Sequence, residues 1–166
     1  MKIERLTKSD FDEIISSLEP FWGERHEAMR STHHPVYLYE LGDTAFVIRE
    51  EGKVIAYLWG FLAQTSATGY VHLVGVHRDH RRRGLARALY RHFTDEARRR
   101  GATRLRAMTQ PVNRTSIAFH RSIGMRLLGE PNADGIPVVR DYRGPGEDRV
   151  VFEMAIMSST APIADV

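Results

Sequence analysis

Val71-His72-Leu73-Val74-Gly75-Val76-His77-Arg78-Asp79-His80-Arg81-Arg82-Arg83-Gly84-Leu85-Ala86 carries the densest structural signal in the sequence. Its opening is rich in valine and other apolar residues, which is strand composition. An arginine-rich turn follows, and Gly84 lets the backbone approach a ligand without a side chain in the way. Beyond it, Leu85, Ala88, Leu89, His92, Phe93 and Ala97 recur at helical spacing until Gly101 ends the run. The first amides of that helix lack helical acceptors, and the positive end of its dipole faces the arginines. Strand, basic turn and helix in this order make a cradle for an anion. An ordinary connection with a solvated arginine cluster has the same composition, so the rest of the chain must separate the two.

Working outward, Met1 to Leu6 alternates apolar and charged residues as a half-buried strand does, and Ser9 is the expected N-cap of a helix carrying Phe11, Ile14, Ile15 and Leu18. Pro20 is expected to break that helix. The segment from Phe21 to Leu41 has no clean period and reads as a short helix plus loop. Thr44 to Arg49 and Val54 to Gln64 predict two antiparallel strands joined through Glu50-Glu51-Gly52-Lys53, and Tyr70 to His77 makes a third. Past the long helix, Arg104 to Gln110 predicts a strand, Asn113 caps a helix containing Ile117, Phe119 and Ile123, and Gly124 closes it. A Pro/Gly/Asp-rich stretch, Glu130 to Arg149, separates this from a last strand, Val150 to Met157.

The chain has 166 residues, of which 42% are hydrophobic and 27% charged, with a net charge of +3. One domain over residues 1–157 with a loose tail at 158–166 is the expected organisation. With no cysteine, disulfides, thiolate metal sites and a cysteinyl intermediate are excluded. The charged N-terminus and the lack of a long apolar run predict a soluble, cytoplasmic protein with no membrane contact. Gly52-Lys53 is followed by Val54, so there is no phosphate loop of the Walker kind, and no Gly-x-Gly-x-x-Gly occurs.

Arg81-Arg82-Arg83-Gly84-Leu85-Ala86 matches Arg/Gln-x-x-Gly-x-Gly/Ala and resembles the pyrophosphate-binding signature of the GCN5-related N-acetyltransferase (GNAT) superfamily. Asn113-Arg114-Thr115-Ser116-Ile117-Ala118-Phe119-His120-Arg121-Ser122-Ile123-Gly124-Met125 resembles a second motif of the same family. The resemblance runs over nearly the whole chain. It implies a mixed α/β acyl-CoA N-acyltransferase fold, with a mostly antiparallel central sheet, splayed central strands and flanking helices.

It further implies acetyl-CoA as cosubstrate, with no metal, and direct transfer of the acetyl group to a primary amine in a ternary complex. Backbone groups of Val74, Gly75 and Val76 would hold the pantetheine arm and thioester. Amides and side chains from Arg81, Arg82, Arg83, Gly84, Leu85, Ala86 and Arg87 would hold the pyrophosphate, with Asn113 as a further cofactor contact. Gly75, costly inside a strand, suits a bulge or a close approach by another chain or a ligand. The family's usual acid is a tyrosine; here that position is His120, which as imidazolium would protonate the departing thiolate or else only bond the cofactor. His72, on the strand face shared with Tyr70, Val74 and Val76, would be the base, or else a histidine satisfied inside the sheet. The alternatives are a GNAT-fold binder of acetyl-CoA without transferase activity and, from another class, a nucleic-acid module using the arginine turn; the small net charge argues against nucleic acid. A metal at His26, His33 and His34, or at His77 and His80, finds no placed carboxylate support. A homodimer through an edge strand is compatible with the pattern.

Overall fold

The computed structural model describes residues 1–156. Met157, expected to end the last strand, and the expected tail at 158–166 lie outside the described residues. The chain forms two compact units, Met1–Phe61 with Tyr70–Glu96, and Leu62–Gly69 with the chain from Ala97 onward.

In the first unit β1 (Ile3–Arg5) leads into α1 (Lys8–Ser16). The cap of α1 is Thr7 rather than Ser9, because Asp10 stands three residues on and returns a hydrogen bond to the Thr7 amide, completing a capping box. Pro20 does not simply break a helix. It sits in the first turn of α2 (Glu19–Trp22), where its missing N–H costs no helical bond. A 3₁₀ turn at Gly23–Arg25, α3 (His26–Arg30) and α4 (Val36–Tyr39) complete the segment that had shown no period. None of these pieces exceeds five residues, too short for a sequence period to register.

The strands β2 (Ala45–Glu50) and β3 (Lys53–Leu62) pair antiparallel, with Glu50 opposite Lys53. Glu51 and Gly52 between them have φ of 51° and 79°, the two positive values of a tight hairpin turn. β4 (Thr68–Val76) follows, and the order of the sheet in this unit is β1-β2-β3-β4. Phe11 and Ile14 of α1, Leu18 between the helices and Phe21 of α2 pack on Val47, Tyr57, Trp59 and Leu73, with Phe11 and Trp59 stacked at 5.6 Å. Burial of each such side chain is worth about 2 kcal/mol. The long helix α5 (Leu85–Arg99) buries Leu89 and Phe93 completely. Phe93 explains Gly60 in β3, since a Cβ there would stand 2.5 Å from its ring.

In the second unit β5 (Arg104–Thr109) is followed by α6 (Arg114–Ser122), β6 (Arg126–Leu128), a small hairpin of β7 (Glu130–Pro131) and β8 (Pro137–Val138), and β9 (Val150–Ala155). β9 lies between β5 and β6, antiparallel to both, so the last strand completes the sheet in this unit. Glu153 on β9 is buried and holds Arg106 at 2.8 Å and Arg126 at 2.7 Å. Four sheet strands in one unit and three in the other, with the helices packed on them, constitute the mixed α/β fold expected.

Candidate functional site

Alternation along β4 leaves Tyr70, His72, Val74 and Val76 half-buried on one face and turns Val71, Leu73 and Gly75 into the core. The reason for glycine at 75 is internal. A Cβ there would lie 2.7 Å from two ring carbons of Tyr57, so the close approach belongs to a side chain of this unit.

The turn after β4 is braced rather than loose. Arg81 donates from Nη2 to the Phe21 carbonyl at 3.0 Å and from Nε to the Val76 carbonyl at 3.3 Å. Arg78 donates to the Glu19 carbonyl and pairs with its carboxylate, which ties the turn to α2. Arg83 binds both carboxylate oxygens of Glu50 and donates to His80 Nδ1 at 2.6 Å. Arg82 has φ of 60°, and its side chain has no partner among the described residues. The three arginines therefore differ in kind: Arg81 is scaffold, Arg83 is ion-paired, and Arg82 is available.

Gly84 follows with φ of 77°, a conformation that strains any side chain, and a Cβ there would meet nothing within 4 Å. Its carbonyl accepts the Ala88 amide at 3.0 Å, so α5 starts here. α1 and α6 are capped by the side chains of Thr7 and Asn113. Gly84 has no side chain to do this, and the Leu85 and Ala86 amides, at the first turn, have no helical acceptor.

His72 donates from Nε2 to the Thr32 carbonyl at 3.1 Å, which leaves Nδ1 as the lone-pair nitrogen. Its ring stacks on Tyr37 at 4.1 Å and 23°. Burial pushes its pKa below the ordinary histidine value, so it is neutral at pH 7. His120 is more deeply placed. Its Nδ1 donates to the Ser116 carbonyl at 2.7 Å, and its ring lies 4.0 Å from that of Phe152, nearly parallel. Burial pushes its pKa down to about 4. This burial opposes the imidazolium that the resemblance implied at His120, because the site removes the water that would stabilise the charge.

A model of the acetyltransferase (GNAT) family matches residues 11–125. The chain belongs to that family. Solved structures of the same fold include the ribosomal-protein-S18-alanine N-acetyltransferase of Escherichia coli, at 21% identity and TM-score 0.66, covering 99% of this chain and 98% of that one. Aminoglycoside 6′-acetyltransferase type Ii matches at 14% identity and TM-score 0.72, covering 98% and 100%. The yncA protein of Salmonella typhimurium, solved with acetyl-CoA, matches at 23% identity and TM-score 0.64, covering 99% of each chain. No curated protein sequence matches.

Within this GNAT chain, Asn113 is committed to structure. Its Oδ1 accepts the Ser116 amide at 3.2 Å and its Nδ2 donates to Thr109 Oγ1 at 3.0 Å, so its side chain caps α6. His33 is buried against Tyr57, and His26 bonds the Gly23 carbonyl. Among the described residues no three His, Asp or Glu side chains come together as metal ligands. Sequence reading missed Glu50 as the partner of the arginine turn. The signal was the hairpin register, which places Glu50 at the end of β2, while the His77 amide bonds the Ile55 carbonyl on the neighbouring strand. Thr32, whose carbonyl orients His72, carried no signal, since backbone contacts across 40 residues leave no trace in residue type. Among the described residues no helix is long and apolar enough to cross a membrane.

Proposed function

We propose that the chain is an acetyl-CoA-dependent N-acetyltransferase that moves the acetyl group directly to a primary amine in a ternary complex. The observation that carries this reading is the start of α5 behind a left-handed Gly84 with open space around it. Amides of Leu85 and Ala86 and the available guanidinium of Arg82 suit a diphosphate, because fixed backbone donors need no reorganisation when the anion arrives. Backbone groups of Val74 and Val76, on the half-buried face of β4, would hold the pantetheine arm and thioester carbonyl. The names of two solved relatives give an alanine of a ribosomal protein and the 6′ position of an aminoglycoside as acceptors, which supports an amine as the acceptor class.

His72 is the base in this reading. Its lone pair at Nδ1 is fixed by the bond that Nε2 makes to Thr32, and its depressed pKa keeps it unprotonated. The amine nitrogen attacks the thioester carbon, its proton passes to Nδ1, and the tetrahedral centre collapses with cleavage of the C–S bond. The thiolate takes its proton from water: a thiol pKa of about 8.5 makes it a fair leaving group without an enzymic acid. His120, neutral and bonded to Ser116, serves as packing. That loss of an acid favours a second reading, a GNAT-fold binder of acetyl-CoA without turnover.

The deciding experiment is an acetyl-CoA-dependent screen for free-thiol release over polyamines, amino acids, aminoglycosides, arylalkylamines and peptide N-termini. Release with one amine class establishes the transferase. Tight acetyl-CoA binding by calorimetry with no release from any class selects the binder, and absence of binding refutes both.

A further inference from the structure

Tyr57 on β3 is fully buried, yet its hydroxyl is spoken for on both sides. Trp22 Nε1 donates to it at 2.7 Å, and it donates to His33 Nε2 at 2.7 Å. The direction follows from His33, whose Nδ1 donates to the Met29 carbonyl at 2.7 Å, so that a neutral ring has only an acceptor left at Nε2. Phe21 closes edge-on at 5.2 Å. The other side of that ring is the surface that Gly75 of β4 rests on, with Cε1 and Cζ 2.7 Å from where a Cβ would be.

We propose that Tyr57 is a positioning residue: clamped by Trp22 and His33, its ring sets the depth of β4 at Gly75 and so places the flanking backbone of Val74 and Val76 against the acetyl donor. This rests on the functional reading above, in which those two residues hold the pantetheine arm. The contact acts by shape. A rigid aromatic plate under a residue without a side chain gives the strand one position, whereas a side chain at 75 would lift it, and packed interiors do not absorb such a displacement without moving backbone.

The test compares two probes that share the nucleotide end but not the arm, acetyl-CoA and 3′-phosphoadenosine 5′-diphosphate, by calorimetry on purified full-length protein. Gly75→Ala is expected to weaken acetyl-CoA about tenfold, the effect of a modest overpacking, while the nucleotide probe changes less than about twofold. Tyr57→Leu added to Gly75→Ala removes the plate and should recover about threefold of that loss. Tyr57→Phe, which keeps the ring and unclamps it, should weaken acetyl-CoA about threefold and spare the nucleotide. Equal losses for both probes, or no recovery in the double variant, overturn the proposal. Should Gly75→Ala not fold, Tyr57→Phe decides alone, and unchanged acetyl-CoA affinity there is fatal. A wild-type chain that binds the nucleotide probe but not acetyl-CoA sinks the functional reading and the inference with it, whereas wild-type binding without recovery sinks the inference only.

Discussion

The guanidinium of Arg83 bonds both oxygens of Glu50, Nη2 to Oε1 at 2.6 Å and Nη1 to Oε2 at 3.2 Å. This fork is formed across 33 residues and joins the β2–β3 hairpin to the arginine turn. The hydrogen bond from Arg83 holds the Glu50 carboxyl below its usual range and raises the guanidinium in turn. Both groups are exposed, so the pair matters less for stability than for the field at the mouth of α5, where it cancels one positive charge.

Removing that cancellation should favour an anion. Glu50→Gln is expected to tighten acetyl-CoA about two- to threefold at low ionic strength, with the gain vanishing above about 0.5 M salt. Calorimetry at two salt concentrations checks this, and weaker binding at low salt would mean that Glu50 is needed to place Arg83.

Gly84 is open around its Cα, so the cost of a side chain there comes from backbone and not from crowding in the free protein. At φ of 77° a β-branched residue costs about 1–3 kcal/mol, which the turn relieves by leaving the left-handed region. Gly84→Val should therefore weaken acetyl-CoA at least tenfold with little change in melting temperature, measured by calorimetry and thermal denaturation on one preparation.

For the two histidines on β4 and α6 the expected outcomes are opposite. His72→Gln should lower kcat/KM by about a hundredfold and abolish the acidic limb of the pH profile, which lies below about pH 6.5 because burial depresses the pKa. His120→Phe, which can keep the stack on Phe152, should leave kcat within about threefold. Free-thiol release across pH reads both. A profile that follows residue 120 and ignores residue 72 would exchange their roles.

Acid should destabilise the protein through its buried imidazoles. His33 and His120 both titrate at about 4 when folded and at about 6.5 when unfolded, burial being the main cause. The unfolded chain binds more protons in that window, so stability is full above about pH 6.5 and falls as pH drops towards 4. The loss is about 2 kcal/mol for each histidine by pH 5. Urea midpoints at pH 7 and pH 5 measure the slope, and His33→Gln should flatten it by one group; an unchanged slope would show His33 already charged in the fold.

Much of this site is written in short range. The left-handed Gly84, the helix after it, the Asn113 cap and the Glu51-Gly52 turn each depend on a few neighbouring residues, and each stands in the structure as its sequence suggests. Ser9 and Pro20 misled because two signals competed within one turn. Thr7 had the better partner in Asp10, and Pro20 fits a helix start as well as a helix end.

What residue order settled by itself was therefore the succession of strands and helices and the left-handed turn at Gly84 ahead of α5, because hydrophobic period, caps and glycine φ act over a handful of residues. What only the folded chain decided was the chemistry of its histidines and the purpose of Gly75. A pKa depends on how much water and which carbonyls surround a ring, and those come from Thr32, Ser116 and Phe152, brought close by packing. Likewise the partner of Gly75 is Tyr57, met across neighbouring elements of the unit rather than along the strand.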